Sequence, residues 1–203
     1  MFSTFYQNTT KALRAFQLRR EHASLGEISE ISIPPVLLES VQFNLQELVH
    51  QHSEYIICET LIFPILYEAW RPFSEDLMLW SHQTITTDKG LSGSPDYLIT
   101  KRLELNRVVQ GSPFLVVVEV KQDDFIGAWG QCLAELYVMQ QVNKNPDLLL
   151  FGIVTNGKVW EFGSLQHDCF VKYTNICTVH HILSLYSTLT HLLGICQQQV
   201  RLL

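Results

Sequence analysis

Glu119 and Lys121 stand in the segment 114–125, FLVVVEVKQDDF, just after a run of apolar residues. Such a run is typical of a buried strand, and because a strand alternates its faces, Glu119 and Lys121 point to the same side of it. Burying two unpaired charges costs several kcal/mol, which is a large part of the stability of a small domain. The two side chains therefore either form an ion pair with each other or belong to a functional site.

Asp96 is a third charged residue that the sequence places near this pair. It follows a turn of sequence GSP and begins the strand predicted for PDYLIT, and the segment between the two strands is long enough for a hairpin. Pairing of the strands would bring Asp96 together with Glu119 and Lys121. Two carboxylates supply the hard oxygen ligands that Mg²⁺ or Mn²⁺ prefers, and an adjacent ammonium can orient a water or stabilise charge on a phosphoryl oxygen.

The elements that must position these residues are predicted from Ser53 onward. Pro64 is expected to kink the first helix or end its regular hydrogen bonding, and Asn156-Gly157 suits the type I′ turn of a hairpin. The order is a helix, three strands, a helix, a hairpin and a helix: SEYIICETLIFPILYEAW, LMLWSHQTIT, PDYLIT, FLVVVEV, GAWGQCLAELYVMQQVN, LLLFGIVT with KVWEF, and HHILSLYSTLTHLLGICQQQ. This order predicts an α/β sandwich with a mixed sheet flanked by helices. The first fifty residues are ambiguous, since TKALRAFQLRREH has helical spacing and EISEISIPP alternates like a strand.

Composition limits the classes of function. The 203 residues, 47% of them hydrophobic, fit one globular domain. No apolar run has the length of a membrane span and the N-terminal sequence lacks the order of a signal peptide, so we expect a cytoplasmic protein without a membrane partner. The five cysteines form no C-x-x-C pair, which favours reduced thiols over a zinc site. A net charge of −6 counts against strong autonomous binding of nucleic acid.

SPDYLIT followed by VVVEVK resembles the PD-(D/E)XK nuclease superfamily, which has a Pro-Asp on one strand and an acidic-x-Lys on the next. The order of elements from Ser53 to about Phe162 also matches that superfamily's core of one helix, three strands, a helix and a strand. The resemblance implies a single domain over 1–203 with a restriction-endonuclease-like three-layer sandwich. Its core would cover about 53–162, with N-terminal and C-terminal helical additions.

The same resemblance implies a metal site. Asp96 and Glu119 would bind Mg²⁺ or Mn²⁺, the backbone carbonyl of Val120 would be a further ligand, and Lys121 would position or activate the attacking water. Many members add an acid from the first helix, and of the two candidates, Glu54 and Glu59, we choose Glu54.

Some members of the superfamily also place a glutamine on the helix that follows the lysine strand. Gln131 occupies that place, with Glu135 one turn later on the same face. The subgroup with a Gln-x-x-x-Tyr motif is not matched, because the tyrosine stands at position 137.

The function expected from these residues is that of a Mg²⁺-dependent phosphodiesterase that acts on nucleic acid, with DNA as the first candidate. One alternative is a catalytically silent binding or interaction module with the same fold, in which Glu119 and Lys121 form an ordinary ion pair on one face of the sheet. Another is a nuclease subunit whose basic DNA groove is supplied by a partner protein or by a homodimer.

Overall fold

A mixed β-sheet with helices on both faces makes up the protein over the residues that the computed structural model describes, which are 8–47, 53–88, 90–103 and 111–203. The strands of this part are β1 (Arg19–Ala23), β2 (Leu77–Ser81), β3 (Ile85–Thr86), β4 (Ser92–Gly93), β5 (Tyr97–Lys101), β6 (Phe114–Val120), β7 (Leu150–Thr155), β8 (Val159–Gln166) and β9 (Cys169–Thr178). Its α-helices are α1 (Thr9–Ala15), α2 (Pro35–Glu47), α3 (Glu54–Ile57), α4 (Phe63–Trp70), α5 (Phe125–Asn143) and α6 (Ile182–Arg201). A π-helical segment, Cys58–Ile62, joins α3 to α4, and short 3₁₀ turns, Arg71–Phe73 and Val179–His181, follow α4 and precede α6.

The central sheet has seven strands in the order β1-β9-β8-β7-β6-β5-β2. Strands β2, β5 and β6 form an antiparallel meander, and the crossover helix α5 then leads to β7, which is parallel to β6. Strands β8 and β9 continue the sheet in antiparallel pairing, and β1 adds to its edge parallel to β9. The predicted α/β class with a mixed sheet between helices is confirmed.

Two hydrophobic cores cover the two faces of this sheet. Side chains of α2, α4, α6 and the π segment pack on one face, and side chains of α1 and α5 pack on the other. Strand β6 lies between the two cores, and each of its residues is buried. This position explains its nearly continuous apolar sequence, because a strand covered on both faces does not need to alternate.

The predicted irregularity at Pro64 is present as the π segment between α3 and α4. Proline has no backbone N–H, so the carbonyl of Thr60, four residues earlier, loses its helical donor. The side-chain amide of Asn44 in α2 donates to that carbonyl at 2.7 Å. The helix layer is therefore tied together at the point where its own hydrogen-bond ladder is interrupted.

The N-terminal segment differs from the sequence patterns. The helical pattern ends at Ala15, and the residues that continue it form strand β1, where Arg19 donates to the carboxylate of Asp168 at 2.8 and 2.9 Å. The strand pattern over EISEISIPP is wrong, since residues 27–34 have no regular secondary structure. In this segment the backbone N–H of Ile31 donates to the hydroxyl of Ser187 instead of to a neighbouring strand.

Helix α5 packs closely on the sheet because β7 carries a glycine beneath it. A Cβ atom on Gly152 would lie 2.7 Å from the sulfur of Cys132 in α5. Because of this close approach, polar side chains of α5 can contact side chains of β6.

None of the helices in the described ranges has the length and apolarity needed to cross a membrane.

Candidate active site

The β5–β6 hairpin places Asp96 beside Glu119. In the antiparallel register Tyr97 pairs with Val118, so Asp96 and Glu119 are the next positions outward, on the same face of the sheet. One carboxylate oxygen of Asp96, Oδ2, accepts a hydrogen bond from the backbone N–H of Val120 at 2.7 Å. The side chain of Val120 lies in the core on the opposite face, so only its backbone is directed to the site.

Glu119 faces helix α5 and meets a second buried carboxylate there, that of Glu135. Glu119 is 1% exposed and Glu135 is 2% exposed, and the two carboxyl groups are hydrogen bonded to each other. One oxygen of each group, Glu119 Oε1 and Glu135 Oε2, is buried and has no hydrogen-bond partner among the described residues. Buried polar atoms in native proteins are nearly always paired, so these two oxygens are an exception that the role of the site has to explain.

The environment favours the protonated forms of both glutamates. Burial, followed by the charge of Glu135, raises the pKa of Glu119 well above its usual value. Burial also raises the pKa of Glu135 to about 7, although its hydrogen bond with Glu119 opposes that change and the charge of Asp96 adds to it. Ionisation of either carboxyl is disfavoured while its neighbour is charged, so the pair keeps protons at a pH where an exposed glutamate is ionised.

Asp96 and Lys121 complete the electrostatics of the site. Burial raises the pKa of Asp96, while its hydrogen bond from Val120 and the charges of His82 and Lys121 lower it. Lys121 is half-buried directly after β6, and its charge also favours the ionised form of Glu119. The ammonium thus lies within electrostatic range of both predicted metal ligands.

Gln131 and Glu135 lie on the same face of α5, as their spacing predicts. Contacts of the Glu135 carboxylate with the Gln131 side chain and the Ser94 backbone lower its pKa. Gly93 makes this contact possible, because a Cβ atom there would lie 2.7 Å from Glu135 Cγ. The turn before Asp96 and the middle of α5 are therefore fitted to each other around one carboxylate.

Glu54 and Glu59, the two candidates from the first helix, belong to the layer on the opposite side of the sheet. Glu54 is half-buried at the start of α3, and Glu59 is exposed in the π segment. Burial raises the pKa of the Cys58 thiol to about 11, and the charges of Asp96, Glu54 and Glu59 add to this effect. Both glutamates therefore approach the edge of the sheet where Asp96 lies, and neither is part of the buried Glu119–Glu135 pair.

The site contains two residues that the sequence analysis did not include in it, Glu135 and His82. A glutamate in an otherwise apolar stretch of α5, one turn after Gln131, was the available signal for Glu135. His82 directly follows the neighbouring strand β2, where its backbone N–H donates to the Asp96 carbonyl at 2.9 Å and its ring Nε2 lies 3.9 Å from Asp96 Oδ1. No sequence pattern indicated this contact.

The oxygen atoms of the site are of the type that binds a hard divalent cation. Carboxylate oxygens are the ligands that Mg²⁺ and Mn²⁺ prefer, and two of them are buried here without a partner. In the part of the chain that the structure describes, no three His, Cys, Asp or Glu side chains are already arranged as a metal site.

No protein-family model matches the chain, and no curated protein matches its sequence significantly.

Proposed function

We propose that the protein is a metal-dependent phosphodiesterase that cleaves nucleic acid, with a site of the PD-(D/E)XK type. The observation that carries this proposal is the convergence of Asp96, Glu119 and Glu135 beside Lys121, with two buried carboxylate oxygens left unpaired. The pair of glutamates costs stability and has no evident structural use, because apolar side chains of similar volume would fill the same space at lower free energy.

An ordinary ion pair does not account for the burial of the Glu119 carboxyl group. Among the described residues, no ion pair within 4.0 Å joins Glu119 to Lys121. The hydrogen-bond partner of Glu119 is another acid, Glu135. Two acids in contact are destabilising when ionised, which is the arrangement expected of a site that holds a cation.

Each residue has a role that follows from its position. Asp96 and Glu119 would hold Mg²⁺ or Mn²⁺ together with the Val120 carbonyl, and Glu135 adds a third carboxylate. A bound cation supplies Lewis-acid activation of water and of the phosphoryl oxygens. Lys121 attracts the scissile phosphate and offsets the negative charge that grows on it during the displacement.

The fold supports the same proposal. The helical layer of α3 and α4 is followed by the meander β2, β5 and β6, then by α5 and the parallel strand β7. This is the order of the core that the resemblance implies, and it accounts for the residues from Glu54 to Thr155. We therefore propose a restriction-endonuclease-like core that β8, β9 and β1 extend at one edge.

A second candidate is a non-catalytic module with this fold. It is favoured by the hydrogen bond from Val120 that already occupies Asp96 Oδ2, and by the lack of a preformed group of three ligands in the described ranges. The net charge of −6 would suit such a module, or a nuclease subunit that binds DNA with a partner chain.

The test is a cleavage assay on plasmid and on single-stranded DNA with Mg²⁺, with Mn²⁺ and with chelator. We expect cleavage by the wild type with metal, and at least 100-fold less by Asp96→Asn and Lys121→Met, roughly what loss of an electrostatic catalytic group costs. Asp123→Asn is the matched control, since it removes an exposed carboxylate just beyond Lys121. If the wild type neither cleaves DNA nor changes its melting temperature with Mn²⁺, the nuclease proposal is rejected and the non-catalytic module is retained.

A further inference from the structure

An aromatic strip, exposed in part, leads from helix α4 to the candidate active site. Its rings follow one another at centroid distances of 5.6 to 6.2 Å, in the order Trp70, Tyr67, Phe63, Tyr97 and His82. At the end of the strip, His82 Nε2 lies 3.9 Å from Asp96 Oδ1. The strip is therefore continuous with the site.

The strip is open to solvent where it leaves the site. Phe63 and Tyr67 are each 39% exposed, and the side chain of His82 is 58% exposed, while Tyr97 is buried and connects them. Single exposed aromatic residues are common, and what distinguishes these rings is that they adjoin one another and the candidate site.

Hydrogen bonds hold the rings of the strip in place. The Tyr97 hydroxyl donates to the carbonyl of Cys58 in the π segment at 3.3 Å, and the Trp70 indole N–H donates to the carbonyl of Leu77 at 3.0 Å. His82, the residue after β2, has a left-handed backbone conformation with φ of 54°, at which the chain turns away from the strand. A π-helical segment and a strained non-glycine residue are both features that concentrate at functional sites.

We propose that this strip stacks unpaired bases, so that the substrate of the site is single-stranded DNA. The inference rests on the proposed function and specifies its substrate. Bases in a duplex are stacked on each other and cannot reach exposed rings, whereas the bases of a single strand stack readily on aromatic side chains whatever their sequence.

The charge of the protein favours the same substrate. Duplex binding depends mainly on contacts from Lys and Arg to phosphates, and the chain has a net charge of −6. Near the strip, Lys121 lies at the site, and Arg71 at the far end is already paired with Glu68 at 3.1 Å. Stacking must therefore supply a large share of the affinity, which only a single strand allows.

The experiment measures binding without cleavage, in the Asp96→Asn background with Mg²⁺. Fluorescence anisotropy compares an oligothymidine of about 16 nucleotides with a duplex of the same length. We expect tighter binding of the single strand. Tyr67→Leu should weaken that binding about tenfold, the loss typical of one stacked base, and Tyr67→Phe should retain it. Tyr137→Leu is the control, because Tyr137 stacks on Phe16 in the layer on the other face of the sheet.

The two proposals fail in distinguishable ways. Equal or tighter binding of the duplex, or equal effects of Tyr67→Leu and Tyr137→Leu, would overturn the stacking inference, whatever the wild type cleaves. Tight, Tyr67-dependent binding of the single strand by a wild type that never cleaves would support the stacking surface and reject the nuclease.

Discussion

Replacement of Glu135 by glutamine should stabilise the protein at alkaline pH in the absence of metal. Glutamine has the size of the protonated glutamic acid and carries no charge, so it removes the cost of ionising a buried group next to Glu119. The pKa of Glu135 is raised from 4.5 to about 7. At about 1.36 kcal/mol for each pKa unit, ionisation of Glu135 in the folded state costs on the order of 3 kcal/mol.

The sign follows from proton linkage. A group with a raised pKa binds its proton more tightly in the folded state than in the unfolded state, so its contribution to stability is full below the unfolded pKa and is lost as pH rises through the folded pKa. For Glu135 the window runs from about 4.5 to about 7. Glu135→Gln should therefore match the wild type below this window and exceed it by roughly 3 kcal/mol at pH 8.

The assay is denaturation by urea and by heat between pH 4.5 and 8.5, with chelator present. A gain of roughly 3 kcal/mol corresponds to about 6–12 °C in melting temperature for a chain of this size. Glu39→Gln, which changes an exposed carboxylate of α2, is the control for the change in net charge. A difference between variant and wild type that does not depend on pH, or a variant that is less stable at pH 8, would refute the proton-sharing pair.

Four further outcomes are expected. Asp96→Asn should keep or raise the melting temperature without metal, since it removes a charge close to Glu119, and it should abolish the shift that Mn²⁺ causes in differential scanning fluorimetry. The Mn²⁺ shift of the wild type should grow from pH 6 to pH 8, because the cation competes with the protons on Glu119 and Glu135; a shift that falls with pH would contradict this competition. Gln131→Ala should reduce cleavage with less than about 1 kcal/mol lost in urea denaturation, whereas unchanged cleavage would remove Gln131 from the site. Gly93→Ala should destabilise the protein by about 1–3 kcal/mol in the same measurement, because its Cβ would overlap Glu135, and an unaltered stability would show that the turn can move away.

The local sequence was sufficient to predict the elements that carry Asp96, Glu119 and Lys121. A short apolar strand with two charges at alternate positions permits only one face for both, and the strand before it begins directly after Asp96. The β7–β8 hairpin at Asn156-Gly157 and helix α6 were predicted for similar reasons, since turn chemistry and helical periodicity are properties of neighbouring residues. The predicted type I′ turn is wrong, because it needs a positive φ at both residues and only Gly157 has one.

Contacts between distant parts of the chain were decided only by the tertiary structure. Strand β1 exists because β9 offers it an edge and Asp168 binds Arg19, a contact 149 residues apart in sequence. Strand β9 was not predicted either, although it is long, because its exposed and buried residues alternate irregularly.

The candidate site shows the same division. The sequence by itself predicted that Glu119 and Lys121 share a face and that Asp96 lies at the start of the adjacent strand. Glu119 contacts Glu135 instead of Lys121, and this contact depends on the distance between α5 and the sheet. Gly93 and Gly152 allow that distance to be short. Packing depth is a property of two surfaces in contact, so no pattern within a single segment could reveal the buried acid pair.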